Sequence, residues 1–136
     1  LNLVFLYTMI EQITKGIKIS IESEFEGTFY KDDSIHYAFS YDVIIENQSH
    51  EVAQLIARKW NIMEALNENE IVIGEGVVGE KPILIPGDRH TYSSGCVLKS
   101  PFGAMKGSYL MVNLSNSKQF KVTIPTFKLS ASFAQN

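Results

Sequence analysis

Cysteine occurs once in the 136 residues, at Cys96, so no intrachain disulfide can form and nothing calls for an oxidising compartment. A reducing cytoplasm is the expected setting. A basic stripe is missing as well. Twelve Lys plus Arg stand against fifteen Asp plus Glu, for a formal charge of −3, and the cations are scattered. Nucleic acid is therefore not an expected partner. No apolar run is long enough to cross a bilayer, and the opening LNLVFLYT lacks a basic leader, so neither an anchor nor a signal is expected there. We expect Met9 to be the natural initiator, with residues 1–8 an upstream or non-native extension able to order against an exposed strand edge. Linkers, low-complexity tracts and long amphipathic helices are missing too, which leaves one domain over 9–136.

What is present is alternation. Hydrophobic residues make up 45% and aromatics 11% of the chain, enough to build a core. Ile17, Ile19 and Ile21 share one face of an extended segment and Lys18, Ser20 and Glu22 the other. In IHYAFSYDVIIEN the same period puts Tyr37, Phe39, Tyr41, Val43 and Ile45 together. Asn47 to His50 supplies turn chemistry, and a further strand is expected over Val52 to Met63 in preference to helix, with Arg58 and Trp60 on one face. More strands are expected at Ile71 to Ile73, Arg89 to Leu98, Tyr109 to Leu114 and from Gln119 onward. Turns fall at Ser100 to Gly103 and Ser115 to Lys118, and Ile85-Pro86-Gly87-Asp88 suits a type II turn. Pro125 cannot donate to a ladder and marks a bulge or an edge, after which Phe127, Leu129, Ala131 and Phe133 resume the alternation. About seven strands so spaced predict an all-β, antiparallel β-sandwich of immunoglobulin-like or fibronectin type III-like kind, with Trp60 in its centre. A small closed barrel is the rival.

The stretch GEGVVGEKPILIPGD contains G-x-G-x-x-G at Gly74, Gly76 and Gly79. A dinucleotide fingerprint needs a helix after its last glycine, whose N-terminal amides receive the pyrophosphate. Pro82 and Pro86 forbid that helix here. A P-loop fails too, because Glu80 holds the lysine position and Lys81 the hydroxyl position. The glycines can still form a nest of amides for an anion, with Lys81, Arg89 or Arg58 as counter-charges and Glu75 and Glu80 opposing. The competing reading is a loop shaped by glycine for positive φ or close packing.

His36, His50, His90 and Cys96 form no metal-ligand spacing, so no metal site is expected. Ser93-Ser94-Gly95-Cys96 lacks the nucleophile elbow. Alternation sets Cys96 and His90 on one face, which allows a Cys–His pair to be drawn, although buried cysteine more often serves as a small hydrophobe. Arg58 is expected to be structural, lying on an aromatic ring or pairing with Glu46, Glu64 or Glu70.

Taken in order, YAFSYDVIIEN, RKW, GEGVVGEKPILIPGDRHTYSSG, GAMKGSYLM and FKVTIPTFKL resemble the ApaG family, from about Ile13 to Ser132. The resemblance implies a fibronectin type III-like or immunoglobulin-like sandwich, found free-standing in bacteria and as a domain of eukaryotic F-box and polymerase-interacting proteins with a protein-binding role. It also implies a link, by gene neighbourhood, to diadenosine-tetraphosphate hydrolysis and, by phenotype, to cobalt and magnesium tolerance. The family motif falls on Gly74, Gly76, Gly79, Pro82, Pro86, Gly87, Tyr92, Ser94 and Gly95, and its glycines imply a pyrophosphate loop. The expectation is a non-enzymatic, cofactor-free, cytoplasmic module that binds another protein. The alternative is a phosphate, pyrophosphate or nucleotide module built on Gly74 to Gly79 with Lys81. Membranes are not expected as partners, and self-association is compatible with either reading.

Overall fold

Side chains that alternate along the sequence alternate in space. Ile17, Ile19, Ile21, Val43 and Ile45 are each 0–1% exposed, while Lys18, Glu24 and Asp42 on the opposite faces reach solvent. The computed structural model describes residues 9–65 and 67–131, so the expectations for residues 1–8 and for Phe133 lie outside it. Among the described residues none is helical, nine strands form, and no helix is long and apolar enough to cross a membrane.

The strands are β1 (Ile10–Thr14), β2 (Ile17–Lys31), β3 (Ser34–Asn47), β4 (Ala53–Glu64), β5 (Glu70–Glu75), β6 (Ile83–Leu84), β7 (Arg89–Leu98), β8 (Phe102–Asn113) and β9 (Gln119–Ser130). They make two antiparallel sheets. One runs β1-β2-β3-β7 and the other β5-β4-β8-β9, with β6 adding to β4. The expected sandwich is found, with nine strands where about seven were legible. One added strand is β1, whose isoleucines, Ile10 and Ile13, fall on opposite faces and give no period-two signal. It exists because the turn at Lys15 and Gly16, both at positive φ, folds it back so that Ile10 pairs with Ile21. β2 also runs further than its clear alternation, to Lys31, because an irregularity between Phe25 and Gly27 shifts its register and hides the continuation.

The core lies between the sheets. Ile19, Tyr41 and Val43 from one face Leu55, Trp60, Tyr109, Val122 and Phe127 from the other. Trp60 sits edge-on to Tyr41 (centroids 5.4 Å apart, 61°) and to Phe127 (5.9 Å, 84°), the arrangement that aromatic quadrupoles favour. Pro125 falls where β9 departs from regular pairing with β8, and β9 is an outer strand, so both features expected of the proline occur together. Asp88 N–H donates to Ile85 O at 3.0 Å and Gly87 has φ of 91°, the geometry of the expected type II turn.

Asn47 closes the end of the sandwich. It is wholly buried, yet its Nδ2 donates to Glu51 O and Leu84 O at 2.8 Å each, and its Oδ1 accepts from Ser49 N–H at 2.9 Å and Ser49 Oγ at 2.6 Å. Its backbone donates to Asp88 O and accepts from Gly87 N–H. A single amide thus joins the end of β3, the crossover to β4, strand β6 and the Pro86-Gly87 turn.

Candidate functional site

β5 stays paired with β4 through Gly74 and Glu75, opposite Arg58 and Ala57, and the residues after Gly76 reverse the chain. Val77 N–H bonds Glu80 O at 2.8 Å, Glu80 N–H bonds Val77 O at 3.0 Å, and Val78 and Gly79 have φ of 46° and 79°. Positive φ at both central positions is a type I′ turn, so the glycine run is a tight hairpin. No phosphate-cradling helix follows. Gly76 is set by two constraints: its φ is 63°, and a Cβ there would stand 2.3 Å from Glu80 O. Val77, 0% exposed, plugs the core from the hairpin.

Gly74 is bare for a different reason. A Cβ there would meet the Arg58 guanidinium at 2.7–2.9 Å, because Arg58 lies across Gly74 to reach the hairpin. Its Nη1 donates to Glu75 O and Gly76 O, both at 2.9 Å. The expectation of a carboxylate or ring partner for Arg58 is thereby corrected. Glu64 is engaged with Lys99 N–H at 2.7 Å and with Ser100 Oγ, while the missing side chain at Gly74 opens a path to backbone carbonyls. Lys81 Nζ pairs with Glu75 Oε1 at 2.6 Å and holds that carboxyl below its usual range. Arg89 is not brought to the loop. It stands opposite Glu46 in the other sheet. Of the residues expected to gather around an anion, Gly74, Gly76, Gly79, Lys81 and Arg58 converge, and both cations are turned onto the loop's own oxygens.

Val78 is a β-branched residue in left-handed backbone and 62% exposed, so its strain is not offset by burial. Val78→Gly should raise the unfolding free energy by about 1 kcal/mol. Denaturant melts of the two proteins check this, and a loss of stability would contradict the turn assignment.

Behind the hairpin, Tyr92 and Tyr109 share a hydrogen bond between their hydroxyls, and Ser94 stands opposite Tyr41 in the β3–β7 ladder. Burial raises all three phenols above their ordinary range. Burial, with Glu64 and Glu70 adding, pushes the Cys96 thiol up to about 11. It therefore stays protonated at neutral pH and is a poor nucleophile. His90 pairs with Ile45 and Cys96 with Phe39, six residues apart on one strand. At about 3.3 Å per residue that is roughly 20 Å, so the Cys–His pair does not form. Each of these acids ionises more readily in the unfolded chain. Their stabilising contribution is complete below the unfolded values, about 8.5 for Cys and 10 for Tyr, and is lost as pH rises through the folded ones. The melting temperature should fall steadily from pH 9 to pH 12; a level profile would contradict this.

Among the described residues no group of three or more His, Cys, Asp or Glu is placed to hold a metal ion. His36 is occupied elsewhere, stacked on Phe29 at 5.1 Å.

The two sheets and the Arg58-clamped hairpin define a small antiparallel β-sandwich domain with a glycine-shaped loop on one flank. Residues 28–113 match the family model described as the ApaG domain. The chain belongs to the ApaG family. It is 41% identical over 121 residues to protein ApaG of Anaeromyxobacter dehalogenans, covering 89% of this chain and 94% of the relative. It is 38% identical over 123 residues to protein ApaG of Bradyrhizobium diazoefficiens, covering 90% and 94%. A solved structure described as the ApaA protein of Bordetella pertussis superposes with a TM-score of 0.78 at 35% identity, covering 85% of this chain and 93% of the other.

Proposed function

We propose that this ApaG-family sandwich is a non-enzymatic cytoplasmic module that works by contact with another protein. One observation carries the reading. Between residues 71 and 85 the chain exposes Ile71, Ile73, Val78, Ile83 and Ile85, each by 53–72%. Single exposed hydrophobics are ordinary, but a succession along one flank is what contact surfaces display. The glycine hairpin lies in the middle of this stretch and holds it in shape.

A photo-crosslinking residue placed at Ile73 or Val78 should yield a heteromeric adduct in cells. The same residue at Glu24, exposed on the opposite sheet, should not. No heteromeric adduct from any exposed position would overturn the reading. The alternative, a phosphate or pyrophosphate module on Gly74 to Gly79, is separated by calorimetry with phosphate, pyrophosphate and diadenosine tetraphosphate. No heat is expected, and heat abolished by Lys81→Ala would bring that alternative forward. Divalent-cation tolerance, implied by the family, is assigned on our reading to the partner, so equilibrium dialysis with cobalt and magnesium should show no stoichiometric site.

A further inference from the structure

Outer strands offer unpaired backbone groups, and proteins usually blunt them with lysine, proline, bulges or a covering element. β9 carries Lys121, Lys128, Pro125 and a register irregularity. β1 is tied across to β9 by Thr123 N–H donating to Thr14 Oγ1 at 3.2 Å. β7 turns Arg89, Thr91 and Ser93 outward, a polar border. Among the described residues, β5, Glu-Ile-Val-Ile-Gly-Glu, has none of these devices.

The polarity of its free side follows from one bond. Gly76 N–H donates to Ile56 O, toward β4. In an antiparallel ladder the N–H and C=O of one residue point the same way and reverse at the next. Ile71, Ile73 and Glu75 therefore aim their amides away from β4, as Ile71 and Ile73 do their carbonyls, while Glu75 O is taken by Arg58. Ile71 (58% exposed) and Ile73 (72%) flank this open backbone on the outer face of the sheet, beside Asn61 and Lys59.

Charge selects the occupant. Glu68 and Glu70 are exposed before the strand's apolar centre, and Glu75 and Glu80 after it. A second copy would bring to this edge another strand that carries carboxylates and neither lysine nor arginine to meet them. An extended segment with basic ends meets Glu68 and Glu70 at one end and Glu80 at the other, Glu75 being already paired with Lys81.

We propose that the β5 edge takes up, as an added strand, an extended segment of a partner protein in which apolar residues alternate and lysines or arginines stand at both ends. The inference rests on the protein-contact reading above and gives it a site and a partner chemistry. It matches β-strand addition, in which main-chain bonds supply affinity and alternate side chains supply selectivity.

The test uses the full chain, 15N-labelled, and the capped peptide Lys-Arg-Val-Thr-Ile-Thr-Val-Arg-Lys. Exchange of the Ile71, Ile73 and Glu75 amides should slow about tenfold when peptide is in excess. The double variant Ile71→Lys/Ile73→Lys alters two exposed side chains, and its fold is checked by its unchanged spectrum outside β5. It should bind about tenfold more weakly, as should a peptide with Glu at both ends. Three results would overturn the proposal: no change at these amides with millimolar peptide, slowing along β7 instead, or amides already protected in the peptide-free chain. A cellular partner captured equally by wild type and double variant would sink the β5 assignment and leave the protein-contact reading standing.

Discussion

Trp60→Ala is expected to lower the unfolding free energy by about 3–5 kcal/mol, a large share of the 5–15 kcal/mol typical of a domain. Trp60 is 3% exposed and fills the space between the sheets where β3, β4 and β9 meet, in ring contact with Tyr41 and Phe127. Alanine would leave a cavity that strands fixed in two ladders cannot close. Urea melts followed by far-UV circular dichroism check this, since the variant loses the only tryptophan and with it the fluorescence signal. Tyr30→Ala, at a residue 70% exposed, is the control and should change stability by less than about 0.5 kcal/mol. Equal effects at the two positions would contradict the placement of the core.

Asn47→Asp should cost about as much, on the order of 3 kcal/mol, although it removes no volume. The amide donates to two carbonyls, Glu51 O and Leu84 O, and a carboxylate would confront both with an acceptor while burying a charge. The loss should shrink as pH falls and the new carboxyl takes a proton, because a group whose folded pKa is raised destabilises most where the unfolded chain is ionised. Melting temperatures of wild type and variant at pH 4 and pH 8 measure this. A constant difference would mean that the Asn47 hydrogen bonds are not what holds the crossover.

Legibility tracked the physical origin of each element. β3 and the start of β2 were plain because burial on one face imposes a period of two on the letters themselves. β1 was not, since an edge strand is held by its partner's ladder and owes little to its own pattern. Asn47 was legible as turn chemistry and not as a buried hub, because its acceptors at Glu51 and Leu84 come from segments that only the fold brings together. The hairpin divides the same way. The absence of a helix after Gly79 followed from Pro82 and Pro86, whereas the reason for Gly74, an arginine laid across it, depends on which strand neighbours β5. Strand order within a sheet leaves no local signature, and so the open edge of β5 could not be read from the residues alone.

The β3–β7 ladder joins Tyr37 to Leu98 and Glu46 to Arg89, so the last partner of β3 is made long after β3 itself. At about 5–20 residues per second, a ribosome needs several seconds to travel that interval. Throughout it, β3 lacks the strand that completes its ladder, and Phe39, Tyr41 and Val43 lack the later strands that cover them. Biogenesis of this protein is thus exposed to misassociation for a time set by topology, and any helper that shields these early apolar residues acts within that interval.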